Sequence, residues 1–170
     1  MFRCSLEEAM PSLTSLISYV NSCTEIINMS RKSLQKGRQG EYEAISLLEK
    51  YYPEKINRNL LQTRDAGSDI IIKSARLSVE VKRYKLGNLY SFRSEWWTQA
   101  VKAVEGTELI PLLLYRFDRS DWFCVLPLDV FLQKPIKDFN LQSLAVLTAN
   151  ELFEQHFKTL SFYKDGSFDW

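Results

Sequence analysis

The chain has 170 residues, of which 45% are hydrophobic and 13% aromatic. This length predicts one domain, and the composition supplies enough apolar side chains for a core, which excludes a disordered protein. No apolar run approaches the roughly 20 residues that span a bilayer. Glu7 and Glu8 fall where a signal peptide needs an apolar stretch, so we expect a soluble, cytoplasmic protein.

Charge is nearly balanced, since the formal net charge is only +1. Two segments nevertheless carry basic residues with no acid between them. Their basic residues are Arg31, Lys32, Lys36 and Arg38 in the first segment and Lys82, Arg83, Lys85 and Arg93 in the second. Such a group either contacts phosphates or is a solvated surface, and charge alone favours the solvated surface.

The residues that commonly bind zinc are few and scattered. Cys4, Cys23, Cys124 and the single histidine, His156, form no cluster, so a zinc site is not expected. Cys23 and Cys124 lie among apolar residues, which predicts buried, reduced thiols. Any metal would be held by carboxylates, which favours a hard ion such as magnesium.

The first predicted elements are helices. Residues 1–30 have helical apolar spacing, residues 31–39 form a polar, basic lead-in, and residues 40–52 have a second apolar stripe that Pro53 ends. Residues 55–60 alternate enough for a short strand, and a polar loop follows.

The remaining elements predict a mixed sheet flanked by helices, of the α/β or α+β class. Residues 69–73 are rich in β-branched side chains, and residues 76–82 alternate, with apolar side chains on one face and polar ones on the other. A helix is predicted at 92–104 and an apolar, central strand at 109–115. A strand at 121–126 should run antiparallel to it because the link is short, and a last helix is predicted at 149–159.

One group of polar residues suggests chemistry. Glu80 and Lys82 are two apart on a strand, so they leave the same face, and Asp69 at the start of the preceding strand can lie opposite them. Two neighbouring carboxylates repel each other, and a divalent cation relieves that repulsion. Lys82 could then orient or deprotonate a water, or neutralise charge on phosphorus. The alternative is an exposed cross-strand ion pair, which a bare D…ExK pattern often represents.

Three further residues add to this pattern. Glu41 begins the helix after the basic lead-in and could add a third carboxylate, although an acid there is also favoured by the helix dipole alone. Gly67 allows a sharp turn before Asp69. Gln99 follows Trp96 and Trp97 in the predicted helix 92–104 and could point toward the scissile phosphate or a metal-bound water. The alternative is that the tryptophans belong to the core and Gln99 lies on the surface.

Together these residues resemble the PD-(D/E)xK nuclease superfamily, and within it the archaeal-type Holliday junction resolvase-like branch and its phage relatives. The resemblance covers about residues 36–126 and is carried by the segments KGRQGEYEA, AGSDIII, VEVKRYK, WWTQAVKA and IPLLLYR…DWFCVL. Ser68 stands where the family name has proline. The resemblance implies a restriction-endonuclease-like core at residues 36–127, between an N-terminal helical extension (1–35) and a C-terminal extension packed on the core (128–170).

The resemblance also implies the roles of individual residues. Glu41, Asp69 and Glu80 match the metal-binding acids, Lys82 the catalytic lysine, and Gln99 a helix glutamine of some branches. Members commonly use Mg²⁺, for which Mn²⁺ often substitutes, and resolvases act as homodimers. The implied protein is a Mg²⁺-dependent DNA endonuclease of a bacterial, archaeal or phage-infected cell, acting on branched DNA. The set of expected DNA contacts comprises Arg31, Lys32, Lys36, Arg38, Arg83 and Lys85.

Three alternatives remain open on the sequence. One is a phage or mobile-element nuclease that cuts duplex or single-stranded DNA. The second is a DNA-binding module that keeps the fold without catalysis, and the third is a structural or inhibitor protein that carries the pattern by chance. The N-terminal apolar stripe from Leu13 to Ile27 would be exposed in an isolated helix, so we expect a homodimer, with a monomer as the alternative.

Overall fold

The computed structural model describes residues 13–59, 67–88, 91–132, 134, 136 and 138–155, with residues 13–30 described at the level of the backbone. The chain divides into two compact units, Met1–Lys36 and Gly37–Trp170. Helix α1, Leu13–Leu48, begins in the first unit and ends in the second. The described residues contain no helix that is both long and apolar enough to cross a membrane.

The continuity of α1 corrects the sequence prediction of two helices separated by a lead-in. Residues 31–39 are helical, because Arg, Lys and Gln favour helix and no proline interrupts the segment. Gly40 has a low helix propensity but lies within α1, where it faces strand β2. A Cβ at this position would lie only 3.0 Å from the Cβ of Arg83. Glycine at this position therefore allows the helix to approach the sheet closely.

A five-stranded sheet forms the centre of the second unit, with its strands in chain order from edge to edge. The strands are β1 (Ile70–Ile72), β2 (Leu77–Tyr84), β3 (Ile110–Phe117), β4 (Phe123–Pro127) and β5 (Leu144–Thr148). Only β2 and β3 pair in parallel, and every other pair is antiparallel. The mixed sheet with flanking helices confirms the predicted fold class.

Helix α2, Ser94–Lys102, connects the two parallel strands, as a parallel crossover requires. The short helix α3, Leu128–Leu132, follows β4. The antiparallel pairing of β3 with β4 confirms the prediction from their short link. Strand β5 was not predicted, and it lies in the segment expected to be a C-terminal extension.

Two predictions about short elements differ from the structure. Within the described residues 55–59 there is no strand, only a single bridge between Arg58 and Ile70. The last helix is present as Ala149 and Asn150 followed by the π-helical turn Glu151–Gln155, and the predicted residues 156–159 lie outside the described part of the chain.

The two faces of the sheet are buried by different kinds of side chain. The first core cluster is mainly aliphatic and joins α1 to the sheet through residues such as Ala44, Leu48, Leu77, Val79 and Leu112. The second is mainly aromatic and joins α2 to the sheet through residues such as Trp96, Trp97, Tyr115, Phe117 and Phe123. Cys124 is a buried free thiol, as predicted, whereas the side chain of Cys23 lies outside the described residues.

Candidate active site

Strand β2 separates apolar from polar side chains between the two faces of the sheet. Leu77, Val79 and Val81 belong to the aliphatic core, as the alternation predicts. Glu80 leaves the opposite face and is only 1% exposed. Because Lys82 is two residues further on, its side chain leaves the same face as Glu80. Strand β2 thus places a buried acid beside a basic side chain that remains partly exposed.

Lys82 connects the strand to helix α2. Its Nζ lies 2.7 Å from Oε1 of Glu80 and donates a hydrogen bond of 2.8 Å to Oε1 of Gln99. Two acceptors, one on the same strand and one on the crossover helix, therefore fix the position of the ammonium group. The structure brings Gln99 of helix α2 together with Glu80 and Lys82 of strand β2.

Asp69 joins this group from the other side of β2. The antiparallel register pairs Ile70 with Val79, so residue 69 falls beside residue 80. Its Oδ2 accepts a hydrogen bond of 2.7 Å from the backbone N–H of Val81, and Asp69 is 8% exposed. Gly67 has φ of 140°, a conformation that favours glycine, and the chain turns there just before the strand.

The electrostatics of Glu80 reflect burial and the neighbouring acids. Burial is the largest cause, and together with the charge of Asp69 it raises the pKa of Glu80 to about 7. The Lys82 ammonium group lowers this pKa, and the charge of Glu41 raises it further. Within the part of the chain that the structure describes, Oε2 of Glu80 is buried and has no hydrogen-bond partner.

Glu41 is near enough to influence Glu80 but is itself paired with another residue. Its Oε2 accepts a hydrogen bond from Nε of Arg58, and the guanidinium of Arg58 lies 5.6 Å from the ring centre of Tyr42. Arg58 was not predicted from the sequence, because its segment has no motif and its partner lies on α1. Since Glu41 is paired with Arg58, its role as a third metal ligand stays a prediction.

The oxygen atoms at this site fit a hard cation. Among the described residues no three His, Cys, Asp or Glu side chains form a ready metal-binding group. Asp69 and Glu80 nevertheless supply two neighbouring carboxylates, and within the described residues Oε2 of Glu80 is buried without a hydrogen-bond partner. A divalent cation would compensate the charge of this buried carboxylate, and oxygen ligands are those that magnesium prefers.

The expected DNA contacts have different surroundings. Arg31, Lys32 and Arg38 are exposed, Lys36 is half-buried, and Lys85 is exposed just after β2. By contrast, Arg83 is only 14% exposed at its side chain. Its guanidinium lies 2.7 Å from Glu43 and 3.4 Å from Asp118, so it has an internal role, and its contact with DNA stays a prediction.

The comparison with protein families gives one match. The family described as "Phage putative PDDEXK endonuclease" matches residues 32–164, which is more than three quarters of the chain. This range includes Glu41, Asp69, Glu80, Lys82 and Gln99. No curated protein and no solved structure matches the chain.

Proposed function

Because the chain belongs to the phage PDDEXK endonuclease family, we propose that it is a metal-dependent DNA endonuclease that hydrolyses phosphodiester bonds. One observation carries the proposal, namely the contact of 2.7 Å between the buried Glu80 and Lys82, with Asp69 on the neighbouring strand. Two neighbouring buried acids cost stability, which argues against a non-catalytic module that merely keeps the fold.

Asp69 and Glu80 are the residues that would hold the metal ion, with Mg²⁺ as the expected ion and Mn²⁺ as a substitute. When bound, such an ion polarises the scissile phosphate and lowers the pKa of a water. Glu41 would act from the edge of the site, where Arg58 holds its carboxylate.

Lys82 has a separate task. An ammonium group has three N–H donors, and within the described residues Glu80 and Gln99 accept two of them. The third remains for an oxygen of the substrate phosphate or for the attacking water. Gln99 therefore acts as a positioning residue, because it holds the ammonium group that would touch the substrate.

Branched DNA, such as a Holliday junction, is the leading substrate, and a phage nuclease that cuts duplex or single-stranded DNA is the principal alternative. A junction has two symmetric strands to cut, which suits a homodimer with one site for each strand. The family match supports a phage nuclease in general and favours neither substrate.

The test is a cleavage assay of the purified full chain with Mg²⁺, with Mn²⁺ and with a chelator. It compares four-way junctions, flaps, linear duplex and single strands of the same sequence. We expect the wild type to cleave DNA only when a metal ion is present, and Glu80→Gln to lose this activity. Lys73→Ala, which changes an exposed lysine outside the site, is the control and should keep it. Absence of cleavage of every substrate with either metal would reject the nuclease, whereas equal cleavage of duplex and junction would reject the junction preference alone.

A further inference from the structure

The polar row on β2 continues beyond the candidate active site. Tyr84 is two residues after Lys82, so it leaves the same face of the strand, roughly 7 Å further along it. Unlike Glu80, Tyr84 is 38% exposed. The row therefore ends in an exposed aromatic ring. Its distance from Lys82 corresponds to about two nucleotides along one strand of a duplex.

The ring of Tyr84 is one layer of a stack. It lies on the indole of Trp96, with ring centres 4.7 Å apart and planes inclined by 21°. Trp96 is 6% exposed and packs in turn against Tyr115 in the aromatic core. Because its lower layers are buried, the stack holds Tyr84 in place without needing a ligand.

Arg93 completes the exposed side of this stack. Its guanidinium carbon lies 5.5 Å from the ring centre of Tyr84 and 5.8 Å from that of Trp96. Arg93 itself is exposed, and no ion pair with an acid is found for it within the described residues. Tyr84 and Arg93 thus offer a flat aromatic surface beside an exposed positive charge.

Helix α2 ties this stack to the candidate active site. Trp96 and Gln99 are three residues apart and therefore lie on the same side of the helix. Gln99 accepts the hydrogen bond from Lys82 while Trp96 contacts Tyr84. The two contacts bind the same helix to two successive positions of one strand face, so their separation is fixed.

A cavity of about 190 Å³ lies directly beside the stack. Tyr84, Arg93, Trp96 and Phe117 are among its lining residues. The loop that borders it is held against the sheet at Gly87, where a Cβ would meet the ring of Phe117 at only 2.0 Å. The space next to Tyr84 is thus a shaped concavity with an aromatic wall and a cationic rim.

We infer that Tyr84 and Arg93 form a stacking platform that receives an unpaired nucleobase of the DNA strand next to the phosphate being cut. Every base has a π-face that stacks on an aromatic ring, and an arginine beside that ring attracts the adjacent phosphate or stacks as well. A base inside a continuous duplex is already paired and stacked between its neighbours, so the platform favours DNA with unpaired nucleotides. The inference rests on the proposed function, because the neighbouring Glu80–Lys82 pair is taken as the cutting site.

The test measures binding without cleavage. Oligonucleotides that carry 2-aminopurine, a base whose fluorescence is quenched by stacking, are titrated with the full chain in a chelator. One is single-stranded and the other is the matching duplex. Variants are Tyr84→Ala, Tyr84→Phe and Arg93→Ala, with Leu132→Ala as a control that shortens an apolar side chain exposed to 50%. Circular dichroism and the Tm of each variant establish that it is folded.

We expect Tyr84→Ala to weaken single-strand binding by roughly tenfold and to remove most of the quenching, since stacking on one aromatic ring has an effect of this order. Tyr84→Phe should keep both, and Leu132→Ala should behave as the wild type. Duplex binding should change by less than about twofold, because phosphate contacts dominate it. Equal weakening of both DNAs, or unchanged quenching in Tyr84→Ala, would overturn the platform.

A cleavage assay separates this inference from the proposed function. If the wild type cuts DNA in Mg²⁺ while Tyr84→Ala keeps its full preference for unpaired strands, the platform is rejected and the nuclease stands. If the wild type cuts nothing but quenching still depends on Tyr84, the nuclease is rejected and the platform stands as a binding site.

Discussion

Two charged clusters share strand β2 and differ in how their charges are compensated. The first, here called the β2 site, comprises Asp69, Glu80, Lys82 and Gln99. The second, here called the arginine network, comprises Glu43, Arg83, Arg116 and Asp118. The β2 site lies on the face toward α2, and the arginine network is anchored to α1 by Glu43.

The arginine network is balanced. Arg83 and Arg116 are neighbours across the parallel strands and would repel each other. Glu43 lies within 2.7 Å of one and 3.2 Å of the other, and Asp118 lies 3.4 Å from Arg83. Two acids therefore form ion pairs with two guanidinium groups, and the cluster holds α1 against the sheet. The balance is one of charge, because some buried atoms of the cluster, such as Oε2 of Glu43 and Oδ1 of Asp118, lack a hydrogen-bond partner within the described residues.

The β2 site is compensated differently. Glu80 has its ion pair with Lys82 through Oε1, and within the described residues its buried Oε2 has neither a hydrogen bond nor an ion pair. The nearby Glu41 is already paired with Arg58. The acids of the arginine network have their cations in the chain itself, whereas the free buried oxygen of Glu80 can accept a cation from outside. This difference, more than the presence of charges, distinguishes a candidate active site from a structural network.

The largest expected effect comes from removing either of the two acids of the β2 site. Asp69→Ala and Glu80→Ala should each reduce Mg²⁺-supported cleavage by at least about 10³-fold, because a metal ion supplies several kcal/mol of transition-state stabilisation. Both variants should keep the circular dichroism of the wild type. Single-turnover cleavage measures the effect, and activity that survives in either folded variant would contradict the assignment of the site.

A smaller loss of cleavage activity should follow from removing the lysine of the β2 site. Lys82→Ala should lower turnover by roughly 10²–10³-fold, as expected for a group that stabilises developing charge. Metal affinity should change little, since a lysine is not a ligand. Calorimetric titration with Mn²⁺ measures that affinity, with Lys73→Ala as the matched control. A binding isotherm lost in Lys82→Ala would mean that the role of the residue was misassigned.

The buried carboxyl group of Glu80 should also make the stability of the protein depend on pH. Folding raises the pKa of Glu80 from 4.5 to about 7, so between these values the folded protein keeps a proton that the unfolded chain releases. The metal-free protein should therefore lose stability as pH rises through this window, by up to about 3 kcal/mol. Urea denaturation in a chelator at about pH 5 and about pH 8 measures the loss.

Glu80→Gln isolates the contribution of this carboxyl group, because every other titrating group is unchanged. Its stability should fall less than that of the wild type over the same pH window, and Glu43→Gln should retain the wild-type dependence. If Glu80→Gln and the wild type lose the same free energy of unfolding, Glu80 is not the group responsible.

The arginine network should respond in the opposite way, through stability and not through catalysis. Glu43→Gln leaves two neighbouring guanidinium groups with one acid and should lower the free energy of unfolding by about 1–2 kcal/mol. This is less than the cost of breaking a fully buried ion pair, because the side chain of Glu43 is 29% exposed and solvent screens its charge. Cleavage per folded molecule should stay within about twofold. Glu49→Gln, an exposed acid just after the same helix, is the control. A large loss of turnover without loss of stability would erase the contrast between the two clusters.

The smallest expected effect concerns four basic residues of α1 that belong to neither cluster. Replacing Arg31, Lys32, Lys36 and Arg38 together by alanine should flatten the dependence of DNA affinity on salt. Each lost phosphate contact lowers the log–log slope by about one unit. Fluorescence anisotropy over a range of salt concentrations measures the slope, and an unchanged slope would assign these residues to the solvated surface.

The residues of the β2 site could be found from the sequence because their relations are local. Glu80 and Lys82 are two apart on a strand, and the alternation with Val79 and Val81 fixes their face. The approach of Asp69 needs only a hairpin. Sequence periodicity therefore predicts most strands of the mixed sheet and this face of β2.

The arginine network and the pairing of Glu41 with Arg58 could not be found in this way. Glu43 and Arg83 are 40 residues apart, and nothing near either residue indicates the other. Strand β5 was missed because its sequence, LAVLT, is apolar at its first four positions and so shows no alternation of apolar and polar residues. The continuity of α1 was missed because a polar segment indicates exposure and does not by itself end a helix.

The parallel pairing of β2 with β3 also determines when during synthesis the site can first exist. Leu77 pairs with Ile110 and Tyr84 with Phe117, and the whole of α2 lies between them. Contacts so distant in the chain form late, because the connecting segment must lose its freedom first. A nascent chain that has not yet released β3 cannot fix Lys82 between Glu80 and Gln99. We therefore expect partly synthesised chains to be harmless to the DNA around them, with cleavage arising only once the domain has closed.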